Sequence, residues 1–289
     1  MANGIIIIDK PSDWTSMDVC AKLRGMLREK KIGHAGTLDP MATGVLPVFV
    51  GNATRAVEFA EKGDKEYVAG LRLGVVTNTQ DTTGEILTQS PVTCDRAAVE
   101  AVLERFVGEI DQIPPMFSAI KIGGKKLYEI ARSGKEVERA ARRITIRDIE
   151  LMEQTAENEY LLRVRCSKGT YIRTLCHDIG AALGCGGCMS SLRRTMAAGF
   201  TLEDAVTLEQ VQEQGEALLS PTDLYFHDKE AFTLATARQE HLCRNGNPVP
   251  AKGLVSGQVY RVYGMQGEFL CISRCENDTL TSIKNFFGK

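Results

Sequence analysis

The sequence predicts an α+β fold in two parts, a large domain over residues 1–228 and a small β-rich one over 229–289. Three observations carry this. Strand-length apolar runs at Ile5 to Ile8 and Val45 to Val50, with strict alternation from Lys65 to Val75, read as strands of a substantial sheet. Helical stripes interrupt them, as at Val19, Leu23, Met26 and Leu27, and at Ile172, Leu175, Cys176, Ile179 and Leu183. Around Pro221 to Lys229 the pattern breaks, and Gly/Pro-rich turns then separate short strand runs.

In chain order, Lys10-Pro11-Ser12 turns the first strand into a helix that Ser16 is expected to cap and that runs to about Lys30. A glycine-rich loop follows, then the second apolar strand and a short helix with Asn52 at its start and Gly63 at its stop. From Lys65, Tyr67, Ala69, Leu71, Leu73 and Val75 share one face. Asn78 to Gly84 is a polar loop, and Asp95 caps a helix with Val99, Val102, Leu103 and Phe106 inward. Phe117 to Ile122 before Gly123-Gly124 reads as a strand entering a hairpin, opening a basic insertion over about 115–147. Strands are expected at Ile144 to Leu151, Tyr160 to Cys166 and Arg193 to Phe200. Thr170 is a plausible cap for the helix that follows Ser167-Lys168-Gly169, and Thr207 with Gln210 makes a capping box. The tail holds one short helix near Ala235 to Leu242 and strand runs at Val259 to Tyr263 and Phe269 to Ser273.

At 289 residues and 43% hydrophobic content the chain can bury a full core. No run reaches the length of a membrane span, and the Ile5 to Ile8 run is too short for a signal peptide, so a cytoplasmic protein is expected. Nine scattered cysteines fit a reducing compartment. The net charge of −2 argues mildly against nucleic acid. Its distribution argues the other way: Lys22, Arg24, Arg28, Lys30 and Lys31 form one basic cluster, Lys121 to Arg147 a second, and Arg193-Arg194 a third. The plain alternative is a set of solvated faces.

The loop from Gly33 to Gly44 holds three glycines and one carboxylate, Asp39, stiffened by Pro40. Alone it could be a turn in which Asp39 bonds its own backbone. Phosphate-loop, dinucleotide, zinc-protease and hydrolase motifs are absent from the sequence. Cys185-Gly186-Gly187-Cys188 has ligand spacing, but only Cys176 and His177 offer themselves as further ligands, so no metal or other cofactor is expected. What remains is a polar set of Asp39, His34, Tyr67, Tyr171 and Arg173. A carboxylate with an aromatic ring and an arginine suits nucleophilic or glycosidic chemistry on a sugar or an activated ring.

Gly33-His34-Ala35-Gly36-Thr37-Leu38-Asp39-Pro40-Met41-Ala42-Thr43-Gly44-Val45-Leu46-Pro47 strongly resembles the catalytic signature of the TruB family of tRNA pseudouridine(55) synthases. Further blocks follow in family order across residues 4 to 225: Asp9-Lys10-Pro11, Trp14-Thr15-Ser16, Lys65-Glu66-Tyr67, Pro114 to Ala119, Ser167 to Leu175, and Leu192-Arg193-Arg194. The resemblance implies a pseudouridine synthase fold, a large mixed and mostly antiparallel sheet flanked by helices, with a small PUA-like C-terminal domain. It implies an isomerase that flips a T-loop uridine out of tRNA, cuts its glycosidic bond, rotates the base and rejoins it through carbon five, without cofactor. Asp39 matches the catalytic aspartate, which could attack the sugar, add to the ring or remove a sugar proton. Tyr67 matches the tyrosine that stacks on the base and could handle its carbon-five proton, and Arg173 the arginine paired with the aspartate. His34, Tyr171 and Leu192 match pocket-lining residues, with Lys10 in support. The implied partner is the tRNA T-arm, with no protein partner and a monomeric enzyme. A tRNA-binding folding helper with the same fold is the second reading.

Overall fold

The computed structural model describes residues 2–288. Ten strands form one sheet whose main path runs Ala205–Val206, Gly4–Lys10, Thr43–Val50, Gly187–Ala197, Lys65–Leu73, Glu159–Cys166, Arg142–Ala156 and Gly108–Gln112. Neighbours are parallel at Ala205–Val206 against Gly4–Lys10 and at Gly187–Ala197 against Thr43–Val50, and antiparallel elsewhere along the path. The sheet is therefore mixed and mostly antiparallel.

Why these stretches are strands follows from what covers them. Gly4–Lys10 and Thr43–Val50 are apolar at consecutive positions because both their faces are buried. Ile6, Ile8, Leu46 and Val48 pack under the helix Ser16–Met26 together with Leu208 and Val211, while Ile5, Ile7, Val45 and Phe49 face a second cluster containing Phe226 and Phe286. Lys65–Leu73 keeps its period of two. Tyr67, Ala69, Leu71 and Leu73 lie in a third cluster beneath the helices Arg96–Leu103 and Ile172–Ala182.

A separate five-stranded sheet begins at Glu230 and runs Glu230–Thr233, Val259–Tyr263, Phe269–Glu276, Thr279–Asn285 and Val249–Pro250. Phe269 and Phe286 reach from it onto Phe226, with ring centroids 6.2 and 5.6 Å away. Arg55 donates to the carbonyls of Asn285 and Phe287, so the last strand is tied to the body of the large sheet.

Several local expectations are corrected. Thr15, not Ser16, caps the first helix, in a capping box with Asp18, and Ser16 Oγ instead accepts from Leu38 N at 2.9 Å. That helix ends at Met26, because Arg28 adopts a positive φ of 49° and leaves Lys30 and Lys31 outside it. Asn52 caps nothing and donates to the Gly288 carbonyl. Thr170 is not the cap either: Tyr171 occupies that position without a side-chain bond, and Thr170 Oγ1 turns back to Ser167 O. The strand expected at Phe117 to Ile122 shrinks to a two-rung hairpin, Lys121–Ile122 with Lys125–Lys126, closed by Gly123 and Gly124 at φ 58° and 82°. The strand expected from Arg193 starts at Gly187, since Gly187 and Cys188 already pair with Leu73 and Arg72.

Candidate active site

The glycine loop is built so that its tip cannot drift. Its entry strand, Ile32–His34, pairs with Thr43–Val50, and Ala35 N donates to Pro47 O. Gly44 has φ +99° and lies so close to Arg194 on the parallel neighbour that a Cβ would meet the Arg194 carbonyl at 2.2 Å. Only glycine allows that approach. At the tip, Lys10 Nζ donates to the carbonyls of Pro40 at 3.0 Å, Pro11 at 2.8 Å and Trp14 at 2.5 Å. Lys10 has no exposed surface, and burial pushes its ammonium down to about 8 against the pull of Asp13 and Asp39.

Asp39 does not bond its own backbone. Its carboxylate meets Arg173, with Nε 2.9 Å from Oδ2 and Nη2 3.3 Å from Oδ1. This is the two-pronged geometry that fixes both distance and plane. Burial pushes the Asp39 carboxyl above the usual carboxylate range, Arg173 pulls it back, and the charge of Asp81 pushes it further up. Arg173 itself is 6% exposed and fully used: Nη1 donates to Thr79 O at 3.1 Å and Nη2 to Phe117 O at 2.8 Å.

The structure thus brings together Asp39, Arg173 and Lys10 as expected, and adds Asp81. This second carboxylate lies 3.8 Å from Arg173 Nε and is held by Thr79 Oγ1, Thr83 N and Thr83 Oγ1 on its Oδ1. The sequence signal was present in Thr79-Gln80-Asp81-Thr82-Thr83-Gly84, a carboxylate with hydroxyls two residues on either side. Nothing in periodicity points to its partner.

Tyr67 is buried directly across from Arg194 in the antiparallel register, and Leu192 across from Ala69. Tyr67 and Leu192 share a cluster with Leu38 and Ala42, which flank Asp39 in sequence. Burial pushes the Tyr67 phenol up and Arg194 opposes it. His34 is half-buried, its Nδ1 has no partner, and burial together with Arg194 lowers its affinity for a proton. Tyr171 is held from behind by a reciprocal pair, its N donating to Gln112 Oε1 at 2.8 Å and its O accepting from Gln112 Nε2 at 3.1 Å. Among the described residues no group of three or more His, Cys, Asp or Glu is placed to hold a metal ion.

The basic insertion lies next to this constellation through the Phe117 carbonyl on Arg173. Arg139, Arg143 and Arg147 are paired with Glu136, with Glu109 and Asp111, and with Asp64. Lys121, Lys125, Lys126, Arg132, Lys135 and Arg142 make no ion pair among the described residues.

A family model described as TruB family pseudouridylate synthase (N terminal domain) matches residues 24–172, and one described as tRNA pseudouridylate synthase B C-terminal domain matches 173–223. The small sheet from Glu230 onward lies beyond both. The chain is similar to the tRNA pseudouridine synthase B of Alkaliphilus oremlandii, at 45% identity over 284 residues covering 96% of this chain and 94% of the relative. It is similar also to that of Cupriavidus metallidurans, at 43% identity over 290 residues covering 96% and 92%. Among solved structures, a chain in a Cbf5-Nop10-Gar1 complex matches with a TM-score of 0.71 and 27% identity, over 98% of this chain and 85% of that one. With the Asp39 loop inside the first matched segment and Arg173 opening the second, the chain belongs to the TruB family of pseudouridylate synthases.

Proposed function

We propose that this chain converts uridine to pseudouridine at position 55 in the T-loop of tRNA, with Asp39 as the reacting group. Family membership makes it an isomerase that forms pseudouridine, and its curated relatives are named for tRNA. The observation that carries the residue assignment is the two-pronged contact of Asp39 with a buried arginine, on a loop locked by Lys10 and by the close approach of Gly44 to Arg194.

The reaction balances within one nucleotide. The bond from N1 to C1′ breaks, a bond from C5 to C1′ forms, and the C5 proton leaves while N1 gains one. Neither water nor an external electron acceptor enters the sum. Three steps need protein groups. The target base must leave its stack, at a cost of a few kcal/mol, and Tyr67 and Leu192 offer an apolar and aromatic surface in return, a stacked ring being worth about 1–3 kcal/mol. Asp39 must be ionised when it engages sugar or ring, and Arg173 holds it so against burial. The freed base must turn without escaping, within walls supplied by His34 and Tyr171. His34 is neutral at pH 7, because its proton affinity is below the ordinary imidazole value.

The unpaired cations of residues 115–147 and the small PUA-like sheet are assigned to the RNA backbone, which is bound chiefly by charge. That all of these groups come from one chain supports a monomer as the working unit. No helix among the described residues is long and apolar enough to cross a membrane, and the site of action is the cytoplasm, where tRNA is matured.

The test is incubation of the purified chain, with no added metal or cofactor, with an unmodified T-arm stem-loop RNA, followed by nucleoside analysis. Pseudouridine at the T-loop uridine from the wild type, and none from Asp39→Asn, is the expected result. Tight RNA binding with no pseudouridine would overturn the proposal.

A further inference from the structure

Arg194 is 1% exposed, and among the described residues it has no carboxylate partner. A guanidinium cannot shed its proton, so it remains a buried, unneutralised cation, which is costly unless its donors are used. Two of them are used on the glycine loop. Nε donates to Val45 O at 2.7 Å and Nη2 to Gly36 O at 3.0 Å, one on each side of Asp39. Nη1 lies where a Cβ on Gly36 would sit 3.3 Å away. Tyr67 is its direct cross-strand neighbour, and the Arg194 charge opposes the upward push of burial on the Tyr67 phenol. Arg193, one residue earlier, points to the opposite face and pairs with Asp9 through Nη1 at 3.1 Å and Nη2 at 2.8 Å. The two adjacent arginines therefore do different work.

We propose that Arg194 is a positioning residue for the isomerisation, bracketing the Asp39 loop at Gly36 and Val45 and orienting the Tyr67 hydroxyl toward the base. In this role the guanidinium, which can only donate, supplies a hydrogen to the Tyr67 oxygen and leaves the phenol proton to point away from Arg194. The hydroxyl so held is then available to the ring's carbon five, which must lose a proton. Burial alone would hold that phenol proton tightly, and the adjacent cation loosens it. This rests on the assignment of Asp39 and Tyr67 made above. It adds a group that contacts neither sugar nor base.

The test is a double-substitution cycle in single-turnover assays at saturating T-arm RNA, using Arg194→Lys, Arg194→Met and Tyr67→Phe. Arg194→Lys keeps the charge but cannot reach both carbonyls and the phenol; Arg194→Met removes the buried charge at similar volume, so one of the two should fold even if the other does not. Expected is a fall in rate of roughly tenfold to a hundredfold for Arg194→Lys in the wild-type background, with RNA affinity within about threefold. In the Tyr67→Phe background the same change should cost at least threefold less, since the hydroxyl it orients is gone. Wild-type rates in either folded Arg194 variant, or equal costs in both backgrounds, would overturn the proposal. Activity surviving in Asp39→Asn would instead sink the site assignment beneath it, and the two failures are told apart by that control.

Discussion

The charges of this chain fall into two regions that follow opposite rules. Around Asp39 they are buried and fully engaged: Arg173 bonds two carbonyls and a carboxylate, Lys10 three carbonyls, Asp81 a threonine cage. Across residues 117–147 they are mostly exposed, and those that pair do so with other surface groups. A buried charge in a fixed cage acts over tenths of an ångström and hardly feels salt. An exposed one acts through the field it shares with its neighbours and is screened within about 8 Å at physiological ionic strength. One region is therefore suited to chemistry and the other to holding a polyanion, and substitutions should separate rate from affinity along that line.

The largest effect belongs to Asp39. Asp39→Asn should lower the single-turnover rate by about a thousandfold or more while leaving RNA affinity within roughly tenfold, measured by nucleoside analysis and filter binding. Asp81→Asn comes next. It frees Arg173 for Asp39 but loosens the guanidinium's placement, and a rate loss of roughly tenfold, about 1.4 kcal/mol, is expected. Its pH signature is more telling. Asp39 titrates above the ordinary carboxylate value, so activity should fail, as pH is lowered, sooner than an exposed aspartate would dictate. Asp81 contributes to that rise, so Asp81→Asn should move the acid limb to lower pH. A limb that stays in place would break the link between the two carboxylates.

Lys10 gives the third separation. Its folded value of about 8 lies below the 10.5 of a free lysine. Above pH 8 the amine keeps two N–H bonds for three carbonyls, so the loop tip loosens and the rate should fall severalfold. Stability should move the other way. Between pH 8 and 10.5 the unfolded chain holds a proton that the folded one has released, so wild type should gain stability relative to Lys10→Met as pH rises through that window. Rate and melting temperature falling together would show that Lys10 acts on the fold rather than on the loop.

The same division explains what could be read without coordinates. Strands such as Gly4–Lys10 and Lys65–Leu73 were legible because burial on two faces or one leaves its own period in the sequence. Asp39 was legible because glycines and a proline mark a backbone that must approach its neighbours closely, and family resemblance then joined it to Arg173 across 134 residues of chain. Asp81 was not, because its role depends on Thr79 carbonyl and Arg173 meeting in space, which no local pattern encodes. Helix starts failed because Ser16 and Thr170 are the right residue types for caps, but a tertiary partner at Leu38 engages the Ser16 hydroxyl and a local turn back to the Ser167 carbonyl engages that of Thr170. In the small C-terminal sheet the short strands Glu230–Thr233 and Val249–Pro250 carry too few residues to show any period, and they form because Val259–Tyr263 and Thr279–Asn285 lie beside them.

The smallest expected effect divides two adjacent arginines of the exposed region. Arg143 already meets Asp111 at 3.0 Å and Glu109 at 3.6 Å on the edge strand, whereas Arg142 has no ion pair among the described residues. A phosphate must compete with two carboxylates for Arg143 but with none for Arg142. Arg142→Gln should therefore weaken T-arm RNA binding severalfold and lower the slope of log affinity against log salt by about one, the signature of one lost phosphate contact. Arg143→Gln should change either quantity by less than half as much, and both variants should keep the wild-type single-turnover rate at saturating RNA. Equal effects of the two would mean that RNA strips Arg143 from its acidic partners on binding, and that the ion pairs of the edge strand belong to the free enzyme alone.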